Sequence, residues 1–112
     1  MPKMRTRAYS SYSRDALQNL GKLIRRARIE RKLTAQELAD RAGISRGLVQ
    51  RIERGDPGCA IGAVFETAAI VGVRLFDAEQ PTLAAHLSAN NAILALMPKA
   101  VHPSSRKVKD DF

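Results

Sequence analysis

Thr34-Ala-Gln-Glu-Leu-Ala-Asp-Arg-Ala-Gly-Ile-Ser-Arg-Gly-Leu-Val-Gln-Arg-Ile-Glu-Arg-Gly55 is the stretch whose reading decides the fold. Thr34 with Glu37 three residues on is a capping box, which predicts a helix over about 35–42. Gly43 is suited to the left-handed conformation that ends a helix, and Ser45 is placed to cap a second helix over about 46–54. Helical spacing turns Leu38, Ala39, Ala42, Ile44, Leu48, Val49 and Ile52 inward. It leaves Arg46, Gly47, Gln50, Arg51 and Arg54 facing out.

Two short helices joined by a three- to four-residue turn with glycine form a helix-turn-helix, which lays its second helix in the major groove of DNA. The stretch resembles the lambda-repressor-like, or XRE-family, helix-turn-helix. The matching residues are Leu33-Thr34, Glu37-Leu38-Ala39, Ala42-Gly43-Ile44-Ser45, Val49, Ile52-Glu53 and Gly55. The resemblance implies an all-α fold: a compact four- or five-helix DNA-binding domain over residues 14–76, followed by a C-terminal helix and flanked by flexible tails. It also implies that Arg28 pairs with Glu53, a structural ion pair fixing the first helix against the third. Ala35 stands where the family often carries a glutamine that contacts DNA, so that contact is not carried over.

The charge is unevenly spread. Residues 1–55 hold 14 Lys or Arg against 5 Asp or Glu, a net +9, and residues 56–112 are at −1, together the chain's +8. A basic half joined to a near-neutral half points to a polyanion-binding part and a part with another task. Aromatics are few (Tyr9, Tyr12, Phe65, Phe76 and Phe112), so the core must be largely aliphatic, which favours helices over a β-sandwich. A single cysteine, Cys59, forms no internal disulfide and suits a reducing cytoplasm. No apolar stretch follows the basic N-terminus as in a signal peptide. The longest apolar run, residues 68–73, is too short to span a bilayer.

Residues 1–13, with Lys3, Arg5 and Arg7, have no apolar period and read as a basic flexible arm, either entering the minor groove or simply solvated. From about Arg14, with Ser13 as N-cap, Leu17, Leu20, Ile24 and Ala27 recur at helical spacing. Gly55-Asp56-Pro57-Gly58 breaks the chain, and Ile61, Val64, Phe65 and Ala68 predict a fourth helix ending at Gly72, with Phe65 plugging the core. Residues 73–76 suit either a short strand or a helical turn. Residues 77–98 predict a C-terminal helix opened by Pro81 and Thr82 and stopped by Pro98. Its stripe of Leu83, Leu87, Leu94 and Met97, with Asn90 among them, packs on the domain, forms a dimer seam or docks another protein. Asn90 then either sets register or lies at the rim. Residues 99–112 read as a mobile tail ending in two acids and an aromatic.

Arg46, Gln50 and Arg54 follow one another at one-turn spacing. Arg can donate two hydrogen bonds to guanine, and Gln pairs similarly with adenine. Arg46, Gln50 and Arg51 are therefore expected to read bases, Ser45 a phosphate or base, and Gln36 the phosphate at the start of the second helix. Gly47 lets the helix sit deeper or makes room for its neighbours. Lys32, Arg41 and Arg54 add attraction to the backbone. One module offers little surface, so a homodimer on a palindromic double-stranded operator, with half-sites ~34–36 Å apart, is expected. His86, His102 and Cys59 have no ligand spacing, and no phosphate loop or carboxylate pair stands out. The expectation is no enzyme, no metal and no cofactor.

The layout as a whole resembles the HipB-type antitoxins, which repress their operon and neutralise a HipA-type kinase toxin. That resemblance makes a HipA-like kinase a partner, with Asp110, Asp111 and Phe112 as contacts. The alternatives are a stand-alone regulator (a prophage repressor or restriction–modification controller) and a protein-interaction inhibitor that has lost DNA binding.

Overall fold

The computed structural model describes residues 8–103. The described residues are all-helical: α1 (Ser11–Glu30), α2 (Ala35–Ala42), α3 (Arg46–Glu53), α4 (Ile61–Ile70), a 3-10 turn (Leu75–Asp77) and α5 (Gln80–Ala95). The chain divides into two compact units, Met1–Asp77 and Ala78–Phe112. The expected contacts of the N-terminal arm through Lys3, Arg5 and Arg7 lie outside the described residues, as do Asp110, Asp111 and Phe112.

Helix α1 begins earlier than the apolar spacing indicates. Ser10, in extended conformation, accepts a hydrogen bond from the Ser13 backbone N–H and is the N-cap, so Ser13 lies inside the helix. Arg14 ties the preceding turn down by donating from Nη1 to the Tyr9 carbonyl at 2.6 Å. Residues 11–13 therefore belong to α1 and not to an arm. The capping box of α2 is complete: Thr34 Oγ1 accepts from Glu37 N–H at 3.0 Å, and Glu37 Oε1 accepts from Thr34 N–H at 2.8 Å. Gly43 closes α2 at φ 71°, where a side chain would be strained, and Ser45 caps α3 two residues later.

The core of the first unit is aliphatic. Ile24, Leu38, Ala39, Val49, Ile52, Ala68 and Val71 are buried together, one or more from each of α1 to α4 or its end. Thr67 is buried among them because its hydroxyl donates to the Ala63 carbonyl at 2.7 Å, which satisfies its one strong donor. Phe65, expected as the central plug, is instead half-buried at the margin, its ring edge-on to that of Phe76 at 6.1 Å. Ile61, expected to share the inner face of α4, is 68 % exposed at the first turn of the helix. Residues 75–77 form a 3-10 turn, not a strand, with Phe76 and Asp77 in the left-handed region.

In the second unit α5 runs from Gln80 and ends at Ala95, so Met97 falls beyond the helix. Leu87, Ile93 and Leu94 are exposed along it, and no Asp, Glu, Lys or Arg occurs from Gln80 to Pro98.

Gly21 determines how α1 meets α3. A glycine inside a helix costs about 1 kcal/mol relative to alanine. Here a Cβ would lie 2.5 Å from the Ile52 carbonyl oxygen and 2.7 Å from that of Glu53. The two helices touch backbone to backbone, and only hydrogen fits between them. Gly21→Ala should therefore lower stability by roughly 2–3 kcal/mol despite its better helix propensity. Urea denaturation measures this, and an unchanged or raised midpoint would contradict the close approach.

Candidate functional site

Helix α3 carries the site. Ser45 Oγ accepts from the Leu48 N–H at 3.0 Å, so this hydroxyl starts the helix and retains its own proton for an outside acceptor. Val49 and Ile52 are buried against the core, and this sets the rotation of the helix. Arg46, Gly47, Gln50, Arg51 and Arg54 are all exposed on the opposite side. Arg46 and Gln50 make no side-chain hydrogen bond with another described residue. Both are free to donate outward. On α2, Gln36 is exposed beside the helix start and donates from Nε2 to Asp40 Oδ1 at 2.9 Å.

Gly47 has no internal justification. It lies inside a helix with ordinary backbone angles, and a Cβ there would meet only Ser45 Oγ at 3.9 Å. The fold has room for alanine, which would be the better helix former. The bare backbone at this position suits close approach by something outside the chain.

Glu53, although on the same short helix, turns the other way. Its carboxylate accepts from Arg28 Nε at 2.7 Å and from Nη2 at 3.0 Å, a bidentate pair whose side chains are 13 % and 7 % exposed. Arg28 Nη1 also donates to the Leu33 carbonyl at 2.9 Å, at the turn leading into α2. The hydrogen bond to Glu53 holds the Arg28 guanidinium above its already high pKa. One arginine thereby joins α1, the α1–α2 turn and α3. Arg25 comes within 3.9 Å of the same carboxylate from a more exposed position.

Arg51 is not free. Its Nε donates to Asp56 Oδ2 at 2.9 Å, and Asp56 Oδ1 accepts from the Gly58 N–H at 2.7 Å. The Arg51 hydrogen bond, and then the Gly58 N–H, hold the Asp56 carboxyl below the usual carboxylate range, so it is ionised at neutral pH. Asp56 stands in a breaker, where its residue type and position along the chain give it no part in the site. Proximity across the turn gives it one. Cys59, next to this loop, packs at the edge of the core, and burial pushes its thiol pKa up.

Beside α3 lies an open cleft of about 710 Å³ whose walls include Gln18, Lys22, Arg25, Ala35, Gln50 and Arg54. Ala35 reaches it with a methyl group only. Gln18, Lys22 and Arg25 are spaced at i, i+4 and i+7 on α1, so their common face was legible in the sequence. That this face adjoins Gln50 and Arg54 follows only from the packing of α1 on α3. The result is a continuous polar and cationic surface from α1 across α3, with donors suited to phosphate and base edges.

Among the described residues, no three His, Cys, Asp or Glu side chains are grouped to hold a metal ion. No described helix is long and apolar enough to cross a membrane.

Residues 19–81 match the family model described as a helix-turn-helix domain. No curated protein matches the chain.

Because Arg28 and Glu53 are largely shielded from water, removing either partner alone strands the other. Arg28→Ala should destabilise the fold by about 3–5 kcal/mol. A thermal melt measures the loss, and a shift of less than a few degrees would show the pair to be dispensable.

Proposed function

The chain belongs to the helix-turn-helix domain family, DNA-binding proteins of XRE-like type, and from that premise we propose that it is a sequence-specific transcriptional repressor. The observation that carries this reading is the outer face of α3. It presents Arg46, Gln50 and Arg51 beside a glycine that the fold itself does not require. Arg46 and Arg51 donate to guanine O6 and N7, Gln50 pairs with adenine, and Gly47 lets the helix backbone approach the groove floor. Ser45 and Gln36 take phosphate or base contacts at the starts of α3 and α2, and Arg54 lies over the backbone.

The repressor acts as a homodimer on a two-fold operator. Support comes from the second unit: α5 holds no Asp, Glu, Lys or Arg, with Leu87 and Leu94 exposed at the spacing of one stripe with Leu83 and Asn90. A helix without Asp, Glu, Lys or Arg can pack on a copy of itself with no like charges opposed along the seam. The layout of the sequence, a basic arm, a helix-turn-helix, a further helix and a segment with two acids and an aromatic, favours a finer reading, an antitoxin of HipA/HipB-like type that binds a kinase toxin.

Three measurements test these readings. Neutralising about six phosphates predicts a slope of log affinity against log salt near −5. Arg46→Ala with Arg51→Ala should abolish operator binding with the helical spectrum kept. A slope near zero, or unchanged binding by the double variant, would leave only a protein-interaction role. For the antitoxin reading, deleting residues 104–112 should weaken binding to a HipA-like kinase while leaving operator affinity intact. Equal kinase affinity with and without those residues would take the tail out of the interface.

A further inference from the structure

An acidic side chain on a surface that binds DNA opposes the phosphate field, so its presence beside α3 requires a reason. Asp56 is such a residue. It contacts Arg51 through one oxygen only, at Nε, while its other oxygen is held by the Gly58 N–H. The two terminal nitrogens of Arg51, Nη1 and Nη2, donate no hydrogen bond to any other described residue. A guanidinium has its donors in one rigid plane. Anchoring Nε through a carboxylate that is itself anchored to the backbone therefore fixes the direction in which the terminal nitrogens point.

Gly58 contributes by absence. A Cβ there would lie 3.3 Å from Arg51 Nη2 and 3.3 Å from Asp56 Oδ1, so a side chain at this position would crowd both members of the pair.

Resting on the DNA-binding reading above, we infer that Asp56 is a positioning residue for sequence recognition. It buttresses Arg51 so that Nη1 and Nη2 present a bidentate fork to guanine O6 and N7 at one base pair of each half-site. The arginine side chain has large rotamer freedom, and holding it in place beforehand removes an ordering cost from the bound state. Asp56 itself touches no base. Its exchange acts through Arg51, and its effect on affinity is opposite in sign to the simple loss of a negative charge.

The experiment uses the full chain and a pool of duplex DNA with a randomised core. Asp56→Asn is the informative variant, because an amide oxygen can still accept from the Gly58 N–H while the charge facing Nε is lost. Wild-type protein should enrich a site with guanine at a defined position. Asp56→Asn should bind that site roughly tenfold to a hundredfold more weakly, with the guanine preference flattened at that one base pair. Its affinity for unrelated duplex should stay level or rise, since one repelling charge has gone. In an Arg51→Lys background the same exchange should change nothing further, and circular dichroism melts should show the helices retained.

Three results would overturn the inference. One is Asp56→Asn protein with unchanged or tighter site affinity and the same guanine preference. Another is a uniform loss at every base pair, which would make Asp56 a loop residue only. The third is a wild-type protein that enriches no sequence, which would remove the DNA-binding reading along with the buttress.

Discussion

The contact between α1 and the last turn of α3 is the constraint on which the rest of the first unit depends. Gly21 brings the two backbones together, and the bidentate Arg28–Glu53 pair locks them where water is largely excluded. A buried ion pair does not stabilise a fold simply by existing, since desolvation offsets much of its attraction. What it adds is geometry. Arg28 reaches Glu53 and the Leu33 carbonyl together, so α3 can take only one rotation relative to α1 and the turn into α2. That rotation decides which side chains of an eight-residue helix face outward.

From this follows a division of labour among the charged residues of α3 and its neighbours. Glu53 turns inward and is used up structurally. Arg46 and Gln50 turn outward, their side chains making no hydrogen bond with another described residue. Arg51 is intermediate: exposed, but tied to Asp56 across the breaker loop. Net charge treats these residues alike, whereas their hydrogen bonds separate them into a lock, free donors and an aimed donor. The cleft between α1 and α3 extends the cationic surface to Lys22 and Arg25, which arrive there only because Gly21 allows α1 to lie so close.

The fold class and its start and stop signals were legible because they are local. The Thr34–Glu37 box, Gly43 and Ser45 each act within one turn of chain, and their geometry needs no distant partner. Helix starts and burial are less legible where local signals compete or where several helices decide at once. Ser10 and Ser13 are both good caps, and the tie from Arg14 to the Tyr9 carbonyl favours the earlier one. Phe65 has the size to fill a core, but the buried cluster is built from Ile24, Leu38, Val49, Ile52, Val71 and two alanines, and Phe65 pairs with Phe76 at the margin. The buried Thr67 is invisible to an apolar pattern, because a hydrogen bond to its own helix makes it acceptable inside.

By itself, the sequence determined a helix-turn-helix with an arginine-rich outer face, since capping, glycine turns and 3.6-residue periodicity are properties of short segments. Only the tertiary structure decided what each charge is for. The partners Asp56 for Arg51, and Lys22 and Arg25 beside Gln50, come from separate elements. They meet because α1 and α3 touch backbone to backbone and because the loop after α3 folds back on its own helix. Such meetings are set by packing distance, which no spacing along the chain encodes.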